Sequence, residues 1–355
     1  MKIFRFIFKI LLLLLIISLV ISGTLIAYLS LTEYKPSPVE KLEIHGLNKQ
    51  QPGAHRSFSL LTWNIGYCGL GKGEDFFYDG GKSTRPEFGN YQNYLNGVYN
   101  LLSKQDSIDF ILLQEVDKDA KRSYFINQIE LMANNFKDFN YQFARNYFVK
   151  FIPFPIFSPM AKVEAGLLQL QRYKPVEAQR FSAPVNFSWP KRIFFLDRCF
   201  MVTKYILDNN KQLVVINLHN SAFDEGSVLR SGEMKLLKDL MTLEYTIGNY
   251  VIAGGDWNQN PPGFDTKMFI TGESKITRHI EPGNSIFPKG WTWAFDSSRP
   301  TNRDVDKAYS KGYTPVSIID YFLLSPNISI EEVRTITNGF GYSDHHPVYL
   351  RVHLN

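Results

Sequence analysis

A chain of 355 residues that is 44% hydrophobic and 21% charged can bury a sizeable core, which excludes global disorder. Gly 24 and Pro 18 are ordinary for this length and no repeat of solenoid size is present, so collagen-like and repeat architectures are excluded too. The net charge of +5 is concentrated at the start: Lys2, Arg5 and Lys9 precede any acid, and the rest of the chain is close to neutral, a poor match to the basic surface of a nucleic-acid-binding protein.

Ile10 to Leu29 is a nearly unbroken apolar run, interrupted only by Ser18, Ser22, Gly23 and Thr24. As a helix it reaches roughly 30 Å, the thickness of one hydrocarbon core. A cleaved signal peptide would have a shorter apolar region and a small-x-small site, which Ala27-Tyr28-Leu29 does not supply. Residues 1–31 are therefore expected to be a single-pass signal anchor. The three cations before the run keep the N-terminus in the cytoplasm and place the bulk of the protein outside it. Residues 32–57, with Pro36, Pro38, Pro52 and Gly53, read as an extended linker. Cys68 and Cys199 are too few for a disulfide framework, although an extracytoplasmic domain permits one bridge.

Residues 58–355 alternate strand-like and helix-like patterns. Phe58–Ile65, Asp109–Glu115, Gln212–His219, Tyr250–Gly254, Ile318–Leu324 and Val348–His353 are short apolar runs of buried-strand type. Leu95, Val98, Leu101 and Leu102 recur at helical spacing, as do Leu229, Leu236, Leu237, Leu240 and Met241. The alternation predicts an α/β domain with buried sheets.

Polar residues recur where those strands end. Asn64, Glu115, His219, Asp256 and Asn258, Asp320, and Asp344 with His345 all lie at such positions, where rigid elements meet loops and sites are built. Thr62-Trp63-Asn64-Ile65, Leu113-Gln114-Glu115-Val116, Asn217-Leu218-His219, Gly255-Asp256-Trp257-Asn258, Ile319-Asp320-Tyr321 and Ser343-Asp344-His345-His346-Pro347-Val348 resemble, in order, the motifs of the endonuclease/exonuclease/phosphatase superfamily. That superfamily includes pancreatic-type deoxyribonuclease, abasic-site endonucleases, neutral sphingomyelinases and inositol-polyphosphate 5-phosphatases. The resemblance runs from about Phe58 to Val352. It implies a four-layer sandwich of two packed mixed β-sheets flanked by helices, and Mg²⁺-dependent hydrolysis of a phosphate ester, with Mn²⁺ as a substitute.

Phosphodiester hydrolysis needs charge neutralised on the phosphate, a water activated and a leaving oxygen stabilised. Mg²⁺ prefers hard oxygen ligands and keeps several waters. Glu115 is the first expected metal ligand; Asn64 offers its amide oxygen to the metal or its waters, and the carboxylate of Asp344 completes the set from the opposite sheet. Asp256 is expected to orient and deprotonate the attacking water, and Asn258 to steady that water or a phosphate oxygen. His219 and His345 have the side chains that titrate nearest neutrality, and the resemblance places both at the scissile phosphate. It also makes Asp320 the buried partner that fixes the His345 ring. Which histidine is the acid, and whether Asp256 or His345 takes the water's proton, stays open at this level. His346 is given no catalytic role.

Other signals are weaker. Gly80-Gly81-Lys82-Ser83-Thr84 looks like a phosphate loop, but Phe76 stands where the motif needs glycine. Lys72, Lys82 and Arg85 belong to a Gly-rich stretch, Gly66–Pro86, at the rim of the expected site, and solvated charge is their default reading. Asn186-Phe187-Ser188 fits a glycosylation triplet. His45, His55, His279 and His353 have no partner pattern. The aromatic, Pro-containing stretch Tyr147–Phe157 reads as neither helix nor central strand. It either packs inward over a sheet edge or, exposed, meets a membrane or acyl chain. Three functions follow as expectations: a membrane-tethered phosphoesterase acting on a lipid headgroup, a tethered extracytoplasmic nuclease, or a surface-binding protein that keeps the fold without catalysis.

Overall fold

The computed structural model of the chain describes residues 2–54, 56–105, 107–184, 187–222, 228–269 and 286–355. His55, His279 and Asn186 of the glycosylation triplet lie outside the described residues. The helices are α1 (Lys2–Leu31), α2 (Phe88–Ser103), α3 (Gln128–Asn135) and α4 (Val228–Thr246). The strands are β1 (Val39–Lys41), β2 (Ser57–Asn64), β3 (Phe110–Asp117), β4 (Asn140–Ile152), β5 (Ala161–Gln171), β6 (Glu177–Ser182), β7 (Cys199–Ile206), β8 (Gln212–His219), β9 (Tyr250–Asp256), β10 (Thr292–Ala294), β11 (Asn302–Arg303), β12 (Val316–Ser317), β13 (Asp320–Leu324), β14 (Ile328–Thr335) and β15 (Val348–Leu354).

Two mixed sheets result. One has the order β14-β15-β2-β3-β5-β4, the other β1-β6-β7-β8-β9-β13-β10. Parallel pairing occurs where a helix makes the crossover: β2 beside β3 across α2, and β8 beside β9 across α4. The helices cover the outer faces. Tyr91, Leu95, Val98 and Leu102 of α2 pack on Leu61, Trp63, Ile111 and Leu113. Met234, Leu237 and Met241 of α4 pack on Val214, Ile216, Val251 and Ala253. This is the expected four-layer sandwich, with α1 in addition.

Side chains of a strand alternate between faces, so the neighbours of those residues point into the space between the sheets. At one end that space is apolar: Phe58 and Leu60, Phe110 and Leu112, Leu213 and Val215, Tyr250 and Ile252, and Phe322 and Leu324 form one core. Continuing along the same faces, two residues at a time, the strands present Thr62 and Asn64, Gln114, Asn217 and His219, Asp256, and Asp320. At the change-over Gln114 Nε2 donates to Asn217 Oδ1 at 2.7 Å and to Thr62 Oγ1 at 3.1 Å, joining the sheets by a fully buried polar bridge. Asn217 Nδ2 in turn donates to the carbonyls of Leu113 and Leu168 at 3.2 and 3.1 Å. The sheets approach closely here. A Cβ on Gly254 would stand 2.4 Å from the Phe322 ring and 3.3 Å from a Leu112 methyl.

Residues 32–57, expected to stand off as a tether, instead lie along the domain. β1 pairs antiparallel with β6, His45 exchanges backbone hydrogen bonds with Tyr141 at 3.0 and 2.9 Å, and Lys174 N donates to Gln50 O at 2.9 Å. The prolines remove donors without preventing edge pairing. The stretch Tyr147–Phe157, read as neither helix nor central strand, is through Ile152 the second half of β4, the edge strand of its sheet, and the residues after it form a loop. α1 is long and apolar enough to cross a membrane and none of its apolar window is buried. Its C-terminal end and the residues just after it meet the domain: Leu29 is buried, Trp189 Nε1 donates to Ser30 Oγ at 3.0 Å, and Arg192 Nε donates to Glu33 Oε1 at 2.8 Å. Cys68 and Cys199 are both free and buried, so no bridge joins them.

Gly254→Ala should destabilise the domain by about 1–3 kcal/mol, because the added methyl meets an aromatic ring in a packed interior. A denaturant midpoint equal to that of the wild type would contradict this close approach.

Candidate active site

The polar end of the inter-sheet space brings the eight residues singled out in the sequence into one connected group. Asp256, buried at 1% exposure, is its centre. Its Oδ2 accepts from Asn64 Nδ2 at 2.9 Å and faces His219 Nε2 at 3.4 Å and His345 Nε2 at 3.8 Å. Its Oδ1 accepts the backbone N–H of Asn258 at 2.9 Å. His345 Nδ1 donates to Asp320 Oδ2 at 2.8 Å, and its Nε2 lies 3.8 Å from Asp344 Oδ2. Asn64 Nδ2 also donates to Glu115 Oε1 at 3.1 Å. A cavity of about 220 Å³ opens onto Glu115, His219, Asp256, Asn258, Asp344 and His345.

Backbone placed outside its easy range supports this geometry. Glu115 has φ +53 at a bulge, where the β3–β5 register breaks between Leu113 and Val116, and the bulge turns the carboxylate off the strand face toward the cavity. Asn258 has φ +51. Gly66, Tyr67 and Cys68 form a left-handed turn with φ of +48, +44 and +54. Such residues persist only where surroundings over-determine them. Here Gly66 N donates to Asn64 Oδ1 at 3.0 Å, Gln128 Nε2 donates to Tyr67 O at 2.7 Å, and the Arg122 guanidinium stacks 3.9 Å from the Tyr67 ring centre. Gly66 is required: a Cβ there would lie 2.7 Å from Asp344 Oδ1.

The charges are set by burial and by one another. Burial raises Asp256 above the carboxylate range, Asp320 adds to the shift, and His345, Asn64 and the Asn258 N–H oppose it. Asp344 is likewise raised by burial, with Glu115 adding to the shift. Burial alone would hold His345 down, but Asp320, Asp344 and Asp256 outweigh it and hold that imidazole well above its ordinary value. His219 goes the other way: burial first, then the cations Arg198, His345 and Arg122, keep it neutral. Two histidines on one carboxylate therefore carry different charges.

The Asn64 amide oxygen, expected to serve a metal or its waters, accepts the Gly66 N–H, and the amide nitrogen faces Glu115 and Asp256, so the amide joins two carboxylates. Turning the amide over would set two donors against each other at Gly66. Glu115 and Asp344 remain as oxygen donors on the cavity, a set that fits a hard divalent cation retaining most of its water. Asn258 Nδ2 gives one hydrogen to Asn220 O at 2.8 Å, leaving its second hydrogen and its oxygen. Lys72, Lys82 and Arg85 do not line the cavity; from their stretch Leu70, Phe76, Tyr78 and Asp79 do.

Several residues had no sequence signal. Asn302 Nδ2 lies 3.1 Å from His345 Nε2, and its amide can accept from the protonated ring after a half-turn. Arg303 donates to the carbonyls of Leu70, Gly71, Glu74, Asp304 and Lys307, tying the Gly66–Pro86 stretch to the strand that bears Asn302. Asn146 lines the cavity, and its buried Nδ2 has no partner among the described residues. The cavity also has an apolar wall from Tyr147, Met160, Phe194, Phe195 and Leu196. His346 is structural: its Nε2 accepts the Phe340 N–H at 3.1 Å, its Nδ1 donates to Pro300 O at 2.8 Å, and its ring stacks on Phe340 at 3.8 Å.

No family model and no curated protein matches the chain. Solved structures do. An endonuclease/exonuclease/phosphatase from Beutenbergia cavernae aligns with a TM-score of 0.54 at 15% identity, covering 84% of this chain and 72% of its own. TDP2 from D. rerio, complexed with a single-strand DNA product, aligns with a TM-score of 0.52 at 14% identity over 83% of this chain and 98% of its own. The human Nocturnin catalytic domain with a bound sulfate anion aligns with a TM-score of 0.52 at 15% identity over 88% of this chain and 97% of its own. At these identities the likeness establishes the fold: the chain has the architecture of endonuclease/exonuclease/phosphatase proteins.

His346 makes stability depend on pH. Burial lowers it from 6.5 to about 4, with the charge of His345 adding to the shift and its bond to the Pro300 carbonyl opposing it. Its contribution is complete above pH 6.5 and is lost as pH falls toward the folded-state value, up to about 3 kcal/mol. Urea midpoints of the wild type should fall between pH 7.5 and pH 5, and His346→Gln, which cannot titrate, should lose part of that slope. Parallel pH profiles for the two proteins would refute it.

Proposed function

We propose that this protein is a membrane-anchored, metal-dependent phosphoesterase whose substrate is a phosphodiester joined to an apolar group, as in a lipid headgroup. The observation that carries the reading is the composition of the cavity. A raised carboxylate, a cationic imidazole and a pair of oxygen donors share one hollow with a wall of aromatic and aliphatic side chains.

Each residue then has a task. A divalent cation held by Glu115 and Asp344 would supply Lewis-acid neutralisation of phosphate charge. Asp256 orients a water and takes its proton as the water oxygen attacks phosphorus; burial makes this carboxylate a better base than a solvated one. Asn64 and the Asn258 N–H hold Asp256 in one rotamer. His345, kept protonated by Asp320, hydrogen-bonds the phosphoryl group and returns a proton to the leaving oxygen, so the proton count closes. Neutral His219 donates or accepts without adding charge beside Asp256. Asn146 provides a donor for a phosphoryl oxygen.

The nuclease reading has the DNA-bound zebrafish relative as its support. Against it stand a nearly neutral domain and arginines at the cavity that are already engaged: Arg122 on Asp117, Arg303 on five carbonyls, and Arg198 on His219 O at 3.3 Å. An extracytoplasmic domain is part of the proposal and follows from the flanking charges alone.

The deciding experiment is a screen of the full chain in detergent against phospholipids, sphingomyelin, nucleic acids and sugar phosphates, with Mg²⁺ or Mn²⁺ and with chelator. Turnover of a lipid diester that chelator abolishes is expected. Steeply salt-sensitive cleavage of nucleic acid would select the nuclease, and no turnover of any ester would leave only binding. Glu115→Ala and Asp256→Ala should each lower turnover by at least about 100-fold with the fold intact; near-wild-type rates in either would remove the assigned roles. Asp320→Asn should slow turnover roughly 10- to 100-fold without changing metal affinity, and a metal titration matching that of Glu115→Ala would overturn its role as the partner of His345.

A further inference from the structure

We propose that the loop Pro153–Met160, Trp189 and the C-terminal end of α1 form one membrane-docking face, which lays the apolar wall of the catalytic cavity against a lipid surface. The loop presents Phe154, Ile156 and Phe157 to solvent at 49%, 74% and 101% exposure. Backbone bonds from Ser158 N to Pro155 O at 3.1 Å and from Met160 N to Phe154 O at 3.0 Å close it into a turn. Lys121 Nζ anchors it through Pro159 O at 2.7 Å. Three bulky apolar side chains held outward on a braced turn are costly in water and suited to a bilayer interface.

What covers them is indicated by α1. The bare apolar span ends at Leu29, and there the chain carries the residue types that settle where hydrocarbon meets headgroups. Tyr28 and Trp189 are about half exposed, and the Trp189 indole is fixed to Ser30. Lys150 Nζ lies 5.8 Å from the Tyr28 ring centre, and Lys191, also exposed, follows Trp189 closely, so two lysines stand at this level, where they suit anionic headgroups. From Lys150 to Phe157 the chain spans at most ~25 Å even if extended. The loop tip therefore lies within ~25 Å of Lys150, which stands beside Tyr28 of α1.

The same elements form the cavity wall. In β4, Tyr147 faces the cavity while Phe148, its neighbour, packs edge-on against Tyr34 just beyond α1, at 6.0 Å between rings. Met160, which closes the exposed loop, is itself buried and lines the cavity. Phe195 lines both the cavity and a small hollow beneath the helix end that Leu29, Glu33 and Arg192 share. One thin layer of protein thus has the active site on one side and the membrane anchor on the other. A lipid drawn up from the interface keeps its apolar part on Tyr147, Met160 and Phe195 while its phosphate reaches Asp256 and His345. This last step rests on the proposed phosphoesterase activity; the docking does not.

The test uses the full chain reconstituted into vesicles of phosphatidylcholine and phosphatidylserine. Phe157→Cys is labelled with an environment-sensitive fluorophore, the two native thiols being buried. Lys211→Cys, at the opposite end of β8 from His219, serves as the reference. A nitroxide-bearing lipid should remove most of the emission at 157 and little at 211. Equal quenching at both positions, shielding of 157 without lipid quenching as in self-association, or a chain that does not float with the vesicles would each overturn the docking face. Separately, the triple variant Phe154→Ser, Ile156→Ser, Phe157→Ser should hydrolyse bis(4-nitrophenyl) phosphate at the wild-type rate and vesicle lipid at least about tenfold more slowly. Equal losses on both substrates would overturn the link to the cavity. If no ester is turned over, the proposed activity falls, and the fluorescence still decides the docking.

Discussion

A carboxylate almost removed from water, Asp256, is the constraint around which the site is arranged. An isolated buried charge of this kind is strongly unfavourable and is retained only with hydrogen-bond partners and opposite charge close by. Its partners come from both sheets: Asn64 from β2, His219 from the strand beside its own, and His345 from the turn into β15. The carboxylate therefore joins the sheets at the polar end of their interface as the Gln114–Asn217 bridge does one layer deeper. Below that bridge the same strand faces are wholly apolar. Side chains this deeply buried interact through a low dielectric, which strengthens every charge interaction among them.

Part of the strained backbone lies in the same place. Glu115, Asn258 and the Gly66–Cys68 turn all have positive φ, and each lies within or directly beside the group of charged side chains. Folding tolerates these conformations because bonds to Asn64, Asp256 and Gln128 hold them. Since two of those bonds end on Asn64 and Asp256, the geometry of the site and the conformation of its loops are determined together.

Much of this was legible in the amino-acid order. The six strands that carry the motifs are short apolar runs with a polar residue a core would not choose at or beside one end, and the structure has a strand at each. The helices α2 and α4 follow the leucine spacing, and the eight motif residues do meet. What escaped had no period to reveal it. Asn302 and Arg303 lie on a two-residue strand and reach His345 and the carbonyls of Leu70, Gly71 and Glu74, all distant in sequence, while Asn146 sits at a register shift of an edge strand. The direction of the Asn64 amide depends on one backbone N–H at Gly66, which no composition or spacing predicts. β1 and the second half of β4 are edge pairings, where prolines and mixed polarity suppress the alternation that marks a central strand.

The two cysteines have a consequence of another kind. Both thiols are buried and unpaired, and burial raises them, Cys199 to about 11 and Cys68 further still. Neither is thiolate at physiological pH, and neither can reach an oxidant. Once folded, the domain therefore has no disulfide between its two cysteines to form or lose, and both thiols are shielded whatever the redox poise of the compartment that receives it.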